Sequence, residues 1–116
     1  MKERRAMRRR HLMFHLRVFD ATSGQPLGNL VDITPGGLMI TGEQGLAPGE
    51  RRRLRMHLPI EIFDKAELAF AATVAWSSDE VSPGLYDTGF RDLEMPDEDR
   101  SRLGALIDEY DLRDAG

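Results

Sequence analysis

Two groups of residues in this 116-residue chain have types and spacings suited to chemistry. The first is the opening "MKERRAMRRRH". Lys2, Arg4, Arg5, Arg8, Arg9 and Arg10 against Glu3 give the first ten residues a charge of +5, in a chain whose net charge is −4, so residues 11–116 carry −9. The second is "DITPGG", where Asp32 and Thr34 precede Gly36 and Gly37. Clustered arginines grip anions, because the planar guanidinium fork can hold two phosphate oxygens at once. An acidic body argues against a dedicated duplex binder, which spreads Lys and Arg over a whole face to neutralise many phosphates. A small anion suits the arm better. Taken alone, the arm also fits loose, non-specific contact with nucleic acid or anionic lipid. Taken alone, "DITPGG" also fits a tight hairpin turn whose Asp32 bonds its own backbone.

Other chemistries find little support. There are no cysteines, which excludes disulfides and thiolate metal sites. His11 and His15 lie in an alternating stretch, where positions four apart share a face about 13 Å from each other and cannot share a metal. No Ser-His-Asp spacing, P-loop or dinucleotide glycine motif occurs, and Asp87 and Thr88 in "YDTGF" have no evident catalytic partner. The chain is therefore read as no enzyme and as needing no metal or cofactor. No apolar run approaches the roughly 20 residues of a membrane span, and the basic start lacks a following apolar signal region. A cytoplasmic protein is the expectation.

The elements that must position these groups follow from periodicity. In "HLMFHLRVF", Leu12, Phe14, Leu16 and Val18 alternate with polar neighbours, the signature of a strand with one buried face. "DATSGQPLG" is rich in turn formers, and "NLVDITPGGLMI" reads as two strands hinged on Pro-Gly-Gly. "GEQGLAPGE" reads as loop. Leu54, Met56 and Leu58 then alternate with charges, and "ELAFAATVAWS" sets Leu68, Phe70, Ala72, Val74 and Trp76 on one face. Tyr86, Thr88 and Phe90 mark a further strand face. The arginines at 51, 52, 53 and 55 read as a solvated face or edge protection. Leu103, Leu106, Ile107 and Tyr110 fall at helical spacing after Pro96, with Asp97, Glu98 and Asp99 suiting a positive helix start. About six short strands followed by one helix predict a small antiparallel barrel with the helix packed against it.

At this point the arm, the first strand and "DITPGG" together resemble the PilZ domain, a bacterial family of six-stranded barrels that includes many receptors for the second messenger cyclic di-GMP. The family carries an RxxxR pair just before its first strand and a [D/N]xSxxG segment between its second and third strands. "RAMRR" supplies Arg5 and Arg9, and "DITPGG" supplies Asp32, Thr34 and Gly37. Arg4 with Arg8 satisfies the same spacing; Arg5 with Arg9 lies closer to the strand, as the family places its pair. The similarity extends through "YDTGF" to the closing helix. It implies a mainly β fold, a six-stranded antiparallel PilZ-type β-barrel with a C-terminal α-helix. Residues 1–10 would form a basic arm, and residues 11–116 the barrel with a helix over about 96–112.

The resemblance also implies roles. Arg5 and Arg9 would clamp phosphates and guanine edges, with Arg4, Arg8 or Arg10 adding a contact. Asp32 would accept from guanine N1 and N2, and Thr34, which stands where the family usually has serine, would keep the hydroxyl while adding a methyl. Gly36 and Gly37 would allow close backbone approach and positive φ. Trp76, expected near a strand end, would stack on a base. Having few apolar anchors, the arm should be irregular until an anion folds it against the barrel. The function implied is a receptor that binds cyclic di-GMP and relays it to a protein partner by ordering the arm. The alternatives are a degenerate PilZ adaptor acting by protein contact without nucleotide, and an arm that binds nucleic acid.

Overall fold

A computed structural model describes residues 16–59 and 63–115. The strands are β1 (Arg17–Asp20), β2 (Pro26–Thr34), β3 (Gly37–Gly42), β4 (Arg51–His57), β5 (Glu67–Ser82) and β6 (Leu85–Glu94), followed by helix α1 (Asp97–Ala115). Each strand pairs antiparallel with its neighbours in the order β1-β2-β3-β6-β5-β4, and β4 returns to β1 to close the barrel. Closure follows from period-two patterning: Val18, Leu30, Ile40, Leu54, Met56, Leu68 and Val74 all point inward and are fully or almost fully buried. Leu16 is buried with Val18, as the first alternating stretch requires, while Leu12 and Phe14 lie outside the described residues.

The turn between β1 and β2 is held by Asp20, whose Oδ1 accepts the N–H groups of Thr22 and Ser23 at 2.8 and 2.9 Å. The arginines of β4 act differently from the expectation of edge protection. β4 is paired on both sides, so it has no free edge; Arg53 is exposed, as a solvated face requires, while Arg51, Arg52 and Arg55 bridge to neighbouring strands. Arg51 donates to Thr73 Oγ1, the Asp92 carbonyl and Glu94, and Arg52 pairs with Asp20 and Glu50.

The helix buries Leu103, Leu106 and Ile107 in the same apolar cluster as the barrel interior. It begins where Pro96 C=O accepts the N–H groups of Asp99 and Arg100 at 3.0 and 2.9 Å. Asp99 does more than complement the helix start. It is buried and holds Lys65 at 3.0 Å and Arg102 at 2.8 Å, tying α1 to the segment before β5. Burial pushes its carboxyl up, but the hydrogen bonds and charges of Lys65 and Arg102 outweigh this and leave it below the usual aspartate value. Among the described residues no helix is long and apolar enough to cross a membrane.

Candidate functional site

The "DITPGG" segment lies at the β2–β3 hairpin, and a bulge decides which way its side chains face. Leu30 pairs with Ile40 and Asp32 with Met39, so Val31 is an extra residue on β2. In an unbroken strand Leu30 and Asp32 would share a face. Here Leu30 and Ile33 are both fully buried, which puts Asp32 and Thr34 on the outside of the barrel. Asp32 Oδ1 accepts the Ile33 N–H at 2.9 Å, and Thr34 Oγ1 donates to the Gly37 carbonyl at 3.3 Å. The segment thus partly satisfies its own polar groups, as a hairpin turn of this composition can.

A second bulge acts on β5. Val74 pairs with Phe90 and Trp76 with Gly89, so Ala75 is the inserted residue. The expectation that Trp76 shares the buried face of Leu68, Phe70, Ala72 and Val74 is corrected by this insertion. Trp76 turns outward and is 44% exposed, and it sits in the middle of a sixteen-residue strand rather than near its end. Its indole covers Gly89, where any Cβ would collide with the ring. Across four strands the outward row therefore runs Asp32, Met39, Gly89, Trp76. Three interstrand spacings make that row roughly 14 Å wide.

Above this row lies a shallow groove of about 340 Å³, lined by Asp32, Thr34, Gly37, Met39, Gly89 and Trp76 among others. The three candidates of the β2–β3 hairpin, Asp32, Thr34 and Gly37, thus meet Trp76 of β5 at one place. Gly36 sits at the turn beside the groove, where a Cβ would meet open space. The tolerance of positive φ that glycine offers is not used at Gly36 or Gly37, since neither adopts it. Gly37 is required for a different reason: a Cβ there would strike the Phe90 carbonyl oxygen of β6. Arg4, Arg5, Arg8, Arg9 and Arg10 lie outside the described residues. The first described residue is fixed close by, because the Leu16 carbonyl accepts the Leu30 N–H at 2.9 Å, two positions before Asp32.

Met39 and Gly89 were not candidates from sequence; their place in the groove comes from register, which "LMI" and "YDTGF" do not encode locally. Asp87 and Thr88 find structural partners instead. Thr41 Oγ1 donates to Asp87 at 2.6 Å, and the buried Thr88 hydroxyl bonds Ser77 Oγ at 2.8 Å.

The fold is a closed six-stranded antiparallel barrel with a C-terminal helix, and it carries an outward groove on its second hairpin. The PilZ domain family model matches residues 3–109, and the chain belongs to that family. The family comprises receptor and adaptor domains rather than enzymes, and includes receptors for cyclic di-GMP. Among solved structures, the chain is similar to the Bacillus subtilis inhibitor of motility (MotI/DgrA), with a TM-score of 0.67 at 17% identity. That similarity covers 85% of this chain and 47% of the other, so this chain spans about half its length. A comparison with curated proteins gave no match.

Proposed function

We propose that this chain is a cytoplasmic cyclic di-GMP receptor that binds the dinucleotide over the Asp32–Trp76 groove and passes the signal to a protein partner by closing its basic arm. The observation that carries this reading is the convergence of Asp32, Thr34, Gly37 and Trp76 on one outward groove. Asp32 uses Oδ1 for the Ile33 N–H, which leaves Oδ2 to accept from guanine N1–H and N2–H, donors that adenine does not present in the same way. The exposed face of Trp76 offers a stacking surface for a base.

The arginines supply the countercharge. Arg9 precedes Leu16 by seven residues, a reach of up to about 25 Å in an extended chain, and Arg5 reaches farther. Both can return to the groove from the anchor beside Leu30. Each charge-assisted contact contributes about 1.5–3 kcal/mol, whereas fixing each backbone residue costs about 1–2 kcal/mol. Closure of the arm therefore needs several arginine contacts to form together.

A nucleotide-independent adaptor is the second reading. It is favoured by the self-contained hydrogen bonds of Asp32 and Thr34, which give the turn a structural role without ligand. Isothermal calorimetry of the full chain with cyclic di-GMP, and with GMP as control, tests the two. The receptor reading expects binding at micromolar concentration or tighter for cyclic di-GMP and much weaker for GMP. Absence of heat at tens of micromolar ligand favours the adaptor.

A further inference from the structure

We infer that Arg91 is an additional phosphate-gripping residue of this groove and that Asp92 competes with the ligand for it; the inference rests on the receptor reading above. The register places a second outward row beside the first, running Thr34, Gly37, Arg91, Thr73. Arg91 stands two residues beyond Gly89 on β6, on the same face and about 7 Å along the strand. Phe90 between them is buried, which fixes that orientation. Gly37 beside Arg91 carries no side chain, whereas the space over Gly89 is taken by the Trp76 indole, so a guanidinium swinging from this position approaches the groove on its Gly37 side, next to the edge of that ring.

The charge balance makes such a cation useful. Among the described residues lining the groove, the charged side chain is the carboxylate of Asp32, which repels a phosphate. Two basic side chains of the described residues belong to the neighbouring row, Arg91 within it and Arg51 beyond Thr73. Arg51 is committed, with bonds to Thr73, the Asp92 carbonyl and Glu94 at 2.7–2.9 Å. Arg91 is held by one neighbour, Asp92 Oδ2 at 2.6 Å, and both side chains are more than half exposed. An exposed pair of this kind contributes little to stability and yields readily to a better partner. A phosphate is that partner, because the guanidinium fork can take two of its oxygens.

Asp92 is also unusual in its backbone. It has φ 55, the left-handed region that residues other than glycine seldom occupy, at a register shift between β5 and β6. Arg51 bonds its carbonyl and so fixes that conformation. The Asp92 carboxylate is then presented next to Arg91 in the unliganded protein, and ligand must displace it. Asp92 is a positioning residue in this scheme, acting through Arg91.

The test is calorimetry of the full chain with cyclic di-GMP for wild type, Arg91→Gln, Asp92→Asn and the double variant. Asn tolerates positive φ, so Asp92→Asn removes the charge while keeping the backbone. Arg91→Gln is expected to weaken binding at least tenfold, about 1.4 kcal/mol. Asp92→Asn is expected to tighten it about threefold, the scale of an exposed pair. The double variant should match Arg91→Gln alone. If wild type gives no heat, the receptor reading fails and this inference falls with it. If wild type binds and Arg91→Gln binds equally well, the receptor reading stands and Arg91 is idle. If Asp92→Asn tightens binding as much without Arg91 as with it, the competition is refuted, since the carboxylate then acts on the ligand directly.

Discussion

Asp32 and Trp76 stand at the two ends of one outward-facing row, and each reaches that face through a single inserted residue in its own strand, Val31 in β2 and Ala75 in β5. Without the insertions, alternation from Leu30 and Val74 would turn both side chains toward the interior, where an aspartate would lose its hydration and an indole would overfill the barrel. The two bulges convert core-facing positions into the two ends of the outward groove. They also leave a gap between the pair that only Met39 and Gly89 occupy.

Asp32→Asn should separate recognition from folding. Asn keeps an oxygen for the Ile33 N–H, so the melting temperature should stay close to wild type. Loss of the carboxylate removes the acceptor for guanine N1–H and N2–H, and affinity for cyclic di-GMP should fall about tenfold or more. Equal affinity in the variant, measured by calorimetry, would show that Asp32 serves the turn alone.

The two neighbouring glycines should respond differently to alanine. Gly37→Ala drives a methyl against the Phe90 carbonyl and should cost about 1–3 kcal/mol in urea unfolding. Gly36→Ala meets open space at a φ that is not positive, so it should stay within about 0.5 kcal/mol. Similar costs for both would contradict the close β3–β6 approach.

Trp76 is the single tryptophan of the chain, so its fluorescence reports on the groove alone. Cyclic di-GMP should quench it with the same midpoint that calorimetry gives. Trp76→Ala should lose about 1–3 kcal/mol of binding through lost stacking. Binding that leaves the emission unchanged places the ligand elsewhere.

Asp99 should make the helix attachment acid-sensitive. Its folded carboxyl titrates below the unfolded value of about 3.9, so its contribution is full above that value and is lost as pH falls through the lower folded one. Asp99→Asn should therefore cost about 1–3 kcal/mol at pH 7, with the deficit shrinking below about pH 4. A deficit that is constant with pH would mean that the Lys65 and Arg102 pairings contribute nothing.

Much of the barrel was legible because its core obeys simple alternation: Leu54, Met56 and Leu58, and Leu68 through Val74, are buried as their spacing requires. Leu103, Leu106 and Ile107 marked the helix in the same way. What alternation hides is an inserted residue, since a bulge changes no composition and yet reverses every face beyond it. That is why Trp76 was expected inside and stands outside. Asp32, Thr34 and Gly37 were legible as a motif, whereas Met39, Gly89 and Arg91 join them only through the order of strands β2, β3 and β6, which brings residues more than fifty positions apart into one row.

The central claim is that the dinucleotide occupies the face between Asp32 and Trp76 under the basic arm. A titration of the nitrogen-15-labelled full chain with cyclic di-GMP, followed by amide, arginine side-chain and indole resonances, tests it most directly. The account predicts saturable shifts at residues 32–39, at Gly89, at the Trp76 indole N–H and at the arginines preceding the barrel, all with one midpoint. Shifts confined to other strands, with the Asp32 and Trp76 signals unmoved at saturation, would contradict it.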